Sequence, residues 1–78
     1  MKHTIKKIST IRIDLPDGFY IDIVCAGNDP TKKEFWLYHK AYSKAQFMFG
    51  VNSLTDDDAI KMAIANAEDY IDAFSKEF

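Results

Sequence analysis

The chain has 78 residues, 47% of them hydrophobic and 28% charged, with three glycines and two prolines. A length of this order buries only ~60% of the unfolded surface, which excludes a large multi-part active site, and the mixture excludes both a disordered tail and a repeat array. The net charge of −2 conceals a division: residues 1–50 hold eight basic against five acidic side chains, and residues 51–78 hold two against seven.

Ile11, Arg12, Ile13, Asp14 and Leu15 alternate apolar and polar, which predicts a half-buried strand. Ile5 continues that phase backwards, whereas Ile8 breaks it. The strand therefore either carries a bulge near Ser9 and Thr10 or follows a separate first piece. Leu15-Pro16-Asp17-Gly18-Phe19 then reads as a tight turn, with Pro16 presetting φ at its second position and Gly18 taking the left-handed conformation. A second strand runs from Phe19 to Ala26, with Phe19, Ile21, Ile23 and Cys25 on one face and Tyr20, Asp22, Val24 and Ala26 on the other, and Gly27-Asn28-Asp29-Pro30 ends it.

A third strand is predicted over Glu34 to Lys40 and a fourth over Ala45 to Val51, joined by a short loop at Ala41-Tyr42-Ser43-Lys44 in preference to one long bent strand. Simple alternation assigns Phe35, Leu37, His39, Ala45, Phe47, Phe49 and Val51 to one face. Trp36, Tyr38, Lys40, Gln46, Met48 and Gly50 fall on the other. Helix signals start at Thr55, an N-cap hydroxyl with Asp58 three residues on, and Asp56 and Asp57 suit the positive end of the helix dipole. Ile60, Ala63, Ile64, Ala67, Ile71, Phe74 and Phe78 recur at spacings of three and four, tracing an apolar stripe that requires a sheet face to pack on.

These signals assemble into one α+β domain over residues 1–78: a four-stranded antiparallel β-meander covered on one face by a single C-terminal amphipathic α-helix, ββββα. The opposite face then carries Arg12, Asp14, Tyr20, Asp22, Val24, Trp36, Tyr38, Lys40, Gln46 and Met48. Tyr, Trp, Met and Arg are enriched at the centres of protein interfaces, so Tyr20, Trp36, Tyr38 and Met48 are the candidate anchors of a partner-binding surface, with Arg12 and Lys40 as rim charges. The competing structural reading is that these aromatics stack on cross-strand neighbours for the sake of the sheet. Self-association as a homodimer, through this face or an edge strand, is a further alternative.

Catalytic chemistry is not legible. Cys25, the lone cysteine, occupies an inward strand position where a thiol behaves as a small hydrophobe, and it has no partner for an intramolecular disulfide. His39 reads as a half-buried, hydrogen-bonded histidine at the core edge, and Asp56-Asp57-Asp58 lacks the alternation, central glycine and closing glutamate of a calcium loop. No phosphate-binding glycine loop or nucleophile elbow occurs, so neither a cofactor nor an enzymatic activity is expected. No apolar run reaches membrane-spanning length, and the first residues lack a signal-peptide core, which makes the expected location cytoplasmic.

Lysines interleave with aromatics from Lys32 to Lys44, as in single-strand nucleic-acid binders. That reading depends on Lys33, Lys40 and Lys44 and makes nucleic acid the alternative partner. An acidic pI, a single arginine, and Asp14 and Asp22 on the same face argue against it.

Thr55-Asp56-Asp57-Asp58-Ala59-Ile60, followed by Ala63, Asn66, Ala67 and Glu68, resembles the first helix of HicB-type antitoxins, which also follows an antiparallel sheet. The Pro-Gly-Cys-like segment of those antitoxins is replaced here by Phe47-Met48-Phe49-Gly50. The resemblance implies an antitoxin-type protein. The wider format, a tiny acidic α+β chain without a catalytic set, is similar to inhibitors encoded by phages and mobile elements, including anti-CRISPR proteins. That likeness implies a protein target, met by the acidic helix or by the aromatic sheet face.

Overall fold

A computed structural model describes residues 11–25, 31–52 and 54–76. The expected phase break at Ile8, the expected end of the second strand at Ala26 and Gly27-Asn28-Asp29-Pro30, and Phe78 lie outside the described residues. The strands are β1 (Ile11–Asp14), β2 (Phe19–Cys25), β3 (Lys32–His39) and β4 (Ala45–Asn52), followed by α1 (Asp56–Ser75). They form one antiparallel sheet in the order β1-β2-β3-β4. This is the ββββα meander that alternation and capping predict.

The first turn closes differently from the expected way. Phe19 N–H donates to the Pro16 carbonyl, and the two residues between them, Asp17 at φ 64° and Gly18 at φ 87°, are both left-handed. Two central residues with positive φ define the turn whose twist matches a right-twisted hairpin, and Asp-Gly is a favoured pair for it. Pro16 therefore stands at the first corner, not the second. The loop after β3 is a hairpin connection, in which Tyr42 N–H donates to the His39 carbonyl at 3.2 Å.

Helix α1 starts as predicted: Thr55 is its N-cap, and the hydroxyl accepts the Asp58 N–H at 3.2 Å. Asp56, Asp57 and Asp58 fill the first turn, opposite in sign to the positive end of the helix dipole. The helix lies over the central strands β2 and β3. Its buried line is Ala59, Ala63, Ala67 and Phe74, whereas Ile64 is 56% exposed and Ile60 and Ile71 are half-buried. The contact stripe is thus rotated away from the large aliphatics. Alanines at intervals of four let the helix backbone approach the sheet, and Ile21, Ile23, Phe35 and Leu37 fill the space between, each fully buried. Complete burial of such a side chain stabilises the fold by about 1.5–3 kcal/mol.

The sheet overturns the sequence assignments at the start of β4, where Ala45 and Gln46 exchange faces as Phe47 and Met48 do, and at Lys33. Register between β3 and β4 shifts at Phe35/Trp36, so that Phe49 faces Phe35 while Phe47 faces Trp36, leaving Met48 as an extra residue. Phe47-Met48-Phe49 is an apolar triplet, and strict alternation would point one of its outer members and the middle one to opposite faces. A bulge resolves the conflict by shifting the phase of the strand within the triplet. Met48, expected among the outward anchors, is 6% exposed and belongs to the core, while Phe47, expected inside, is 45% exposed.

Lys33 is the second case. It stands opposite Cys25 and Val51, on the helix side, and it is 6% exposed with Nζ 3.4 Å from an Asp56 carboxylate oxygen. The lysine ties β3 to the first turn of the helix.

Candidate interaction face

The sheet face away from α1 is built from cross-strand rows fixed by register. One row reads Arg12, Asp22, Trp36, Phe47, and the next reads Asp14, Tyr20, Tyr38, Ala45. Trp36 and Phe47 meet edge to face with ring centres 5.2 Å apart. Tyr20 and Tyr38 stack at 5.1 Å with planes 8° apart.

Arg12 connects the two rows. Its Nε and Nη2 donate to the two carboxylate oxygens of Asp22 at 2.8 and 3.0 Å, a forked geometry that a lysine would not reproduce. The same guanidinium lies over the Tyr20 ring, 4.3 Å from its centre, adding a cation–π contact. The hydrogen bond to Asp22 comes first, and their charge attraction adds to it, in raising Arg12 above its ordinary value. Asp22 is only 8% exposed, and its charge is compensated where it lies. Burial first, and the Asp22 charge second, raise the Tyr38 phenol above its ordinary range.

Trp36 Nε1–H donates to Glu34 Oε1 at 3.3 Å, anchoring the polar edge of the indole. At the β4 edge, a Cβ added to Gly50 would lie 4.0 Å from Phe47 Cζ, so the Phe47 ring leans over the bare glycine. Such covering of an edge glycine by an aromatic is a recognised sheet-stabilising arrangement.

Of the six residues picked out by sequence, Arg12, Tyr20, Trp36 and Tyr38 are on this face: Arg12 lies on Tyr20 and Tyr20 on Tyr38, while Trp36 meets Phe47. Lys40 is exposed just beyond the end of β3, with its N–H bonded to the Gly18 carbonyl at 2.9 Å. Met48 is withdrawn into the core, and Phe47 takes its place. The signal for Phe47 was the apolar triplet at 47–49, since three apolar residues in a row cannot all satisfy a period of two.

His39 is half-buried and engages through both ring nitrogens, and its ring packs edge-on against Phe19 at 4.6 Å. Among the described residues, no group of three or more His, Cys, Asp or Glu is placed to hold a metal ion, and no helix is long and apolar enough to cross a membrane. Compared with protein-family models, with curated proteins and with solved structures, the chain has no match.

Proposed function

We propose that this chain is a non-catalytic protein-binding module, acting in the cytoplasm as an inhibitor or modulator of a protein partner. Its contact surface is the open sheet face centred on Trp36 and Phe47, with Tyr20, Tyr38 and Arg12 around them. The observation that carries this reading is the Trp36–Phe47 pair, half-buried Trp36 against exposed Phe47, held ready by a lattice of its own. Phe47 presents 45% of its surface to solvent, while Arg12, Asp22, Tyr20 and Tyr38 are already fixed by hydrogen bonds and stacking. A prepacked aromatic patch binds at a reduced cost in side-chain ordering, and Trp, Tyr and Arg are the types that dominate interface energetics.

The nucleic-acid alternative draws less support from the same geometry. Arg12 is committed to Asp22, Lys33 is on the helix side, and Asp14 and Glu34 belong to the open face. A phosphate backbone requires uncompensated cations along its track.

The test is capture from nuclease-treated lysate with tagged wild type beside a Trp36→Ala, Phe47→Ala double variant, followed by titration of the captured protein. The reading expects a protein retained by wild type, with Trp36→Ala alone weakening it by at least about 1 kcal/mol, roughly fivefold. Equal retention by a folded double variant would overturn the assignment of the surface. Binding to single-stranded oligonucleotides that falls steeply with salt would instead favour the alternative.

A further inference from the structure

The open face is balanced in charge. Arg12, Lys32 and Lys40 stand on it against Asp14, Asp22 and Glu34, placed there by register and alternation along β1, β2 and β3. Lys40 lies one position past β3 with its N–H still bonded to the Gly18 carbonyl, so it continues the outward row of that strand. A strongly acidic or strongly basic partner finds no excess of opposite charge here. A second copy of this chain brings the same mixture.

The order of the charges decides how two copies meet. Ile13, Ile21, Leu37 and Gln46 stand level across the four strands. When two such faces pair about a two-fold axis along that line, residues equally far on its two sides come opposite one another. One position away, Arg12 meets Asp14 of the second copy, Trp36 meets its Tyr38, and Phe47 meets its Ala45. Three positions away, Glu34 meets its Lys40. Each pair occurs twice, as an isologous contact requires.

The side chains suit these places. Arg12 is 56% exposed, and its Nη1 carries two further donors beside the Nε and Nη2 bonds to Asp22. Exposed Phe47 falls against exposed Ala45, a large side chain against a small one, as in interdigitating sheets. Other two-fold placements lose the match. An axis along the row of Arg12, Asp22, Trp36 and Phe47 sets Arg12 on Arg12, and an axis along β3 sets Glu34 on Glu34 and Lys40 on Lys40.

We propose that the open face is the interface of a two-fold homodimer, its sheets packed face to face about the line of Ile13, Ile21, Leu37 and Gln46. The pairing rests on the reading of this face as a protein contact and names a second copy as its occupant. From Glu34 to Lys40 the face spans about 20 Å, and its four strands are about as wide, toward the small end of specific interfaces. The dimer is therefore reversible, and a foreign partner takes the face by displacing the second copy.

The test is sedimentation of the intact chain from about 10 μM to about 1 mM, the range of weak affinities, beside Lys40→Glu, Glu34→Lys and the double exchange. The double exchange keeps the net charge of −2. The pairing expects an equilibrium between monomer and dimer within this range. Lys40→Glu sets like charges together twice and should weaken association about five- to tenfold. The double exchange, or an equimolar mixture of the two single variants, should recover most of it, although Glu34→Lys gives up the bond from Trp36 Nε1–H. Dilution of the ¹⁵N-labelled wild type should shift the amide signals of Trp36, Tyr38 and Phe47 and leave those of α1 in place. A chain monomeric at about 1 mM, a double exchange no stronger than Lys40→Glu, or dilution shifts confined to the helix would overturn the pairing. Should a variant not fold, the wild-type dilution decides alone. A monomer that still captures a lysate protein through Trp36 and Phe47 overturns the pairing and keeps the reading of the face.

Discussion

Replacing Met48 and Phe47 separately by glutamine tests the bulge on which the composition of the open face depends. Met48 is 6% exposed; Met48→Gln gives up about 1.5–3 kcal/mol of apolar burial and buries an amide at a further cost of about 1–3 kcal/mol. The combined loss is about 3–5 kcal/mol. Phe47 is 45% exposed, so Phe47→Gln gives up about half of a full burial and the edge contact with Trp36, together about 1–2 kcal/mol, and its amide remains in water. A chain of this length has a total stability of about 4–12 kcal/mol, so the first change consumes a large share of it and the second does not. With a urea slope of about 1 kcal/mol/M, the two midpoints should differ by about 2 M at equal slopes. Uninterrupted alternation demands the opposite order. A Phe47→Gln protein at least as destabilised as Met48→Gln would refute the bulge and, with it, the presence of Phe47 on the open face.

Gly18→Ala should cost at least about 1–2 kcal/mol in thermal or chemical unfolding, because its φ is +87° and the new methyl meets His39. Gly50→Ala, whose Cβ finds only ordinary contacts at 3.7 Å or more, should stay within about 0.5 kcal/mol of wild type. Tyr38 should ionise above the ordinary 10.0 in a spectrophotometric tyrosinate titration, and Asp22→Asn should move it back down, since burial then acts without the neighbouring carboxylate. Because the folded value is raised, the stability linked to Tyr38 is complete below pH about 10 and is lost as pH climbs through the folded value; a rise in stability across that interval would contradict the assignment. Ala63→Leu should lower stability by about 1–3 kcal/mol through overpacking between helix and sheet, whereas Ile64→Ala on the exposed side should change it little, as paired calorimetry would read.

The elements that sequence made legible are those specified by neighbours in the chain. Alternation in Ile11–Leu15 and Phe19–Cys25, left-handed Gly18, and the Thr55 cap with its following acids each concern a few adjacent residues, and each appears where expected. The remainder depends on what lies across the fold. Phe47 and Met48 exchanged faces because the register against β3 slips by one residue, and only the triplet at 47–49 hinted at it. Lys33 reads as a surface residue by type, yet its place opposite Val51 turns it toward the helix and Asp56. The helical stripe holds at Ala63, Ala67 and Phe74 and fails at Ile64, because the sheet selects the small residues that let the helix approach and adds Ala59 to them. The candidate face was accordingly legible in Arg12, Tyr20, Trp36 and Tyr38 and misread at the one strand where the pattern changes phase.

Among the described residues β4 is an edge of the sheet, eight residues long and rich in apolar side chains. Such an edge, if flat, invites another chain to add itself, and then another. The extra residue at Met48 twists the strand and breaks its repeat of outward-pointing N–H and C=O groups. An arriving strand in perfect register with residues 49–52 is therefore out of register with residues 45–47. The irregularity that delivers Phe47 to the open face also works against the addition of a further strand along the whole edge.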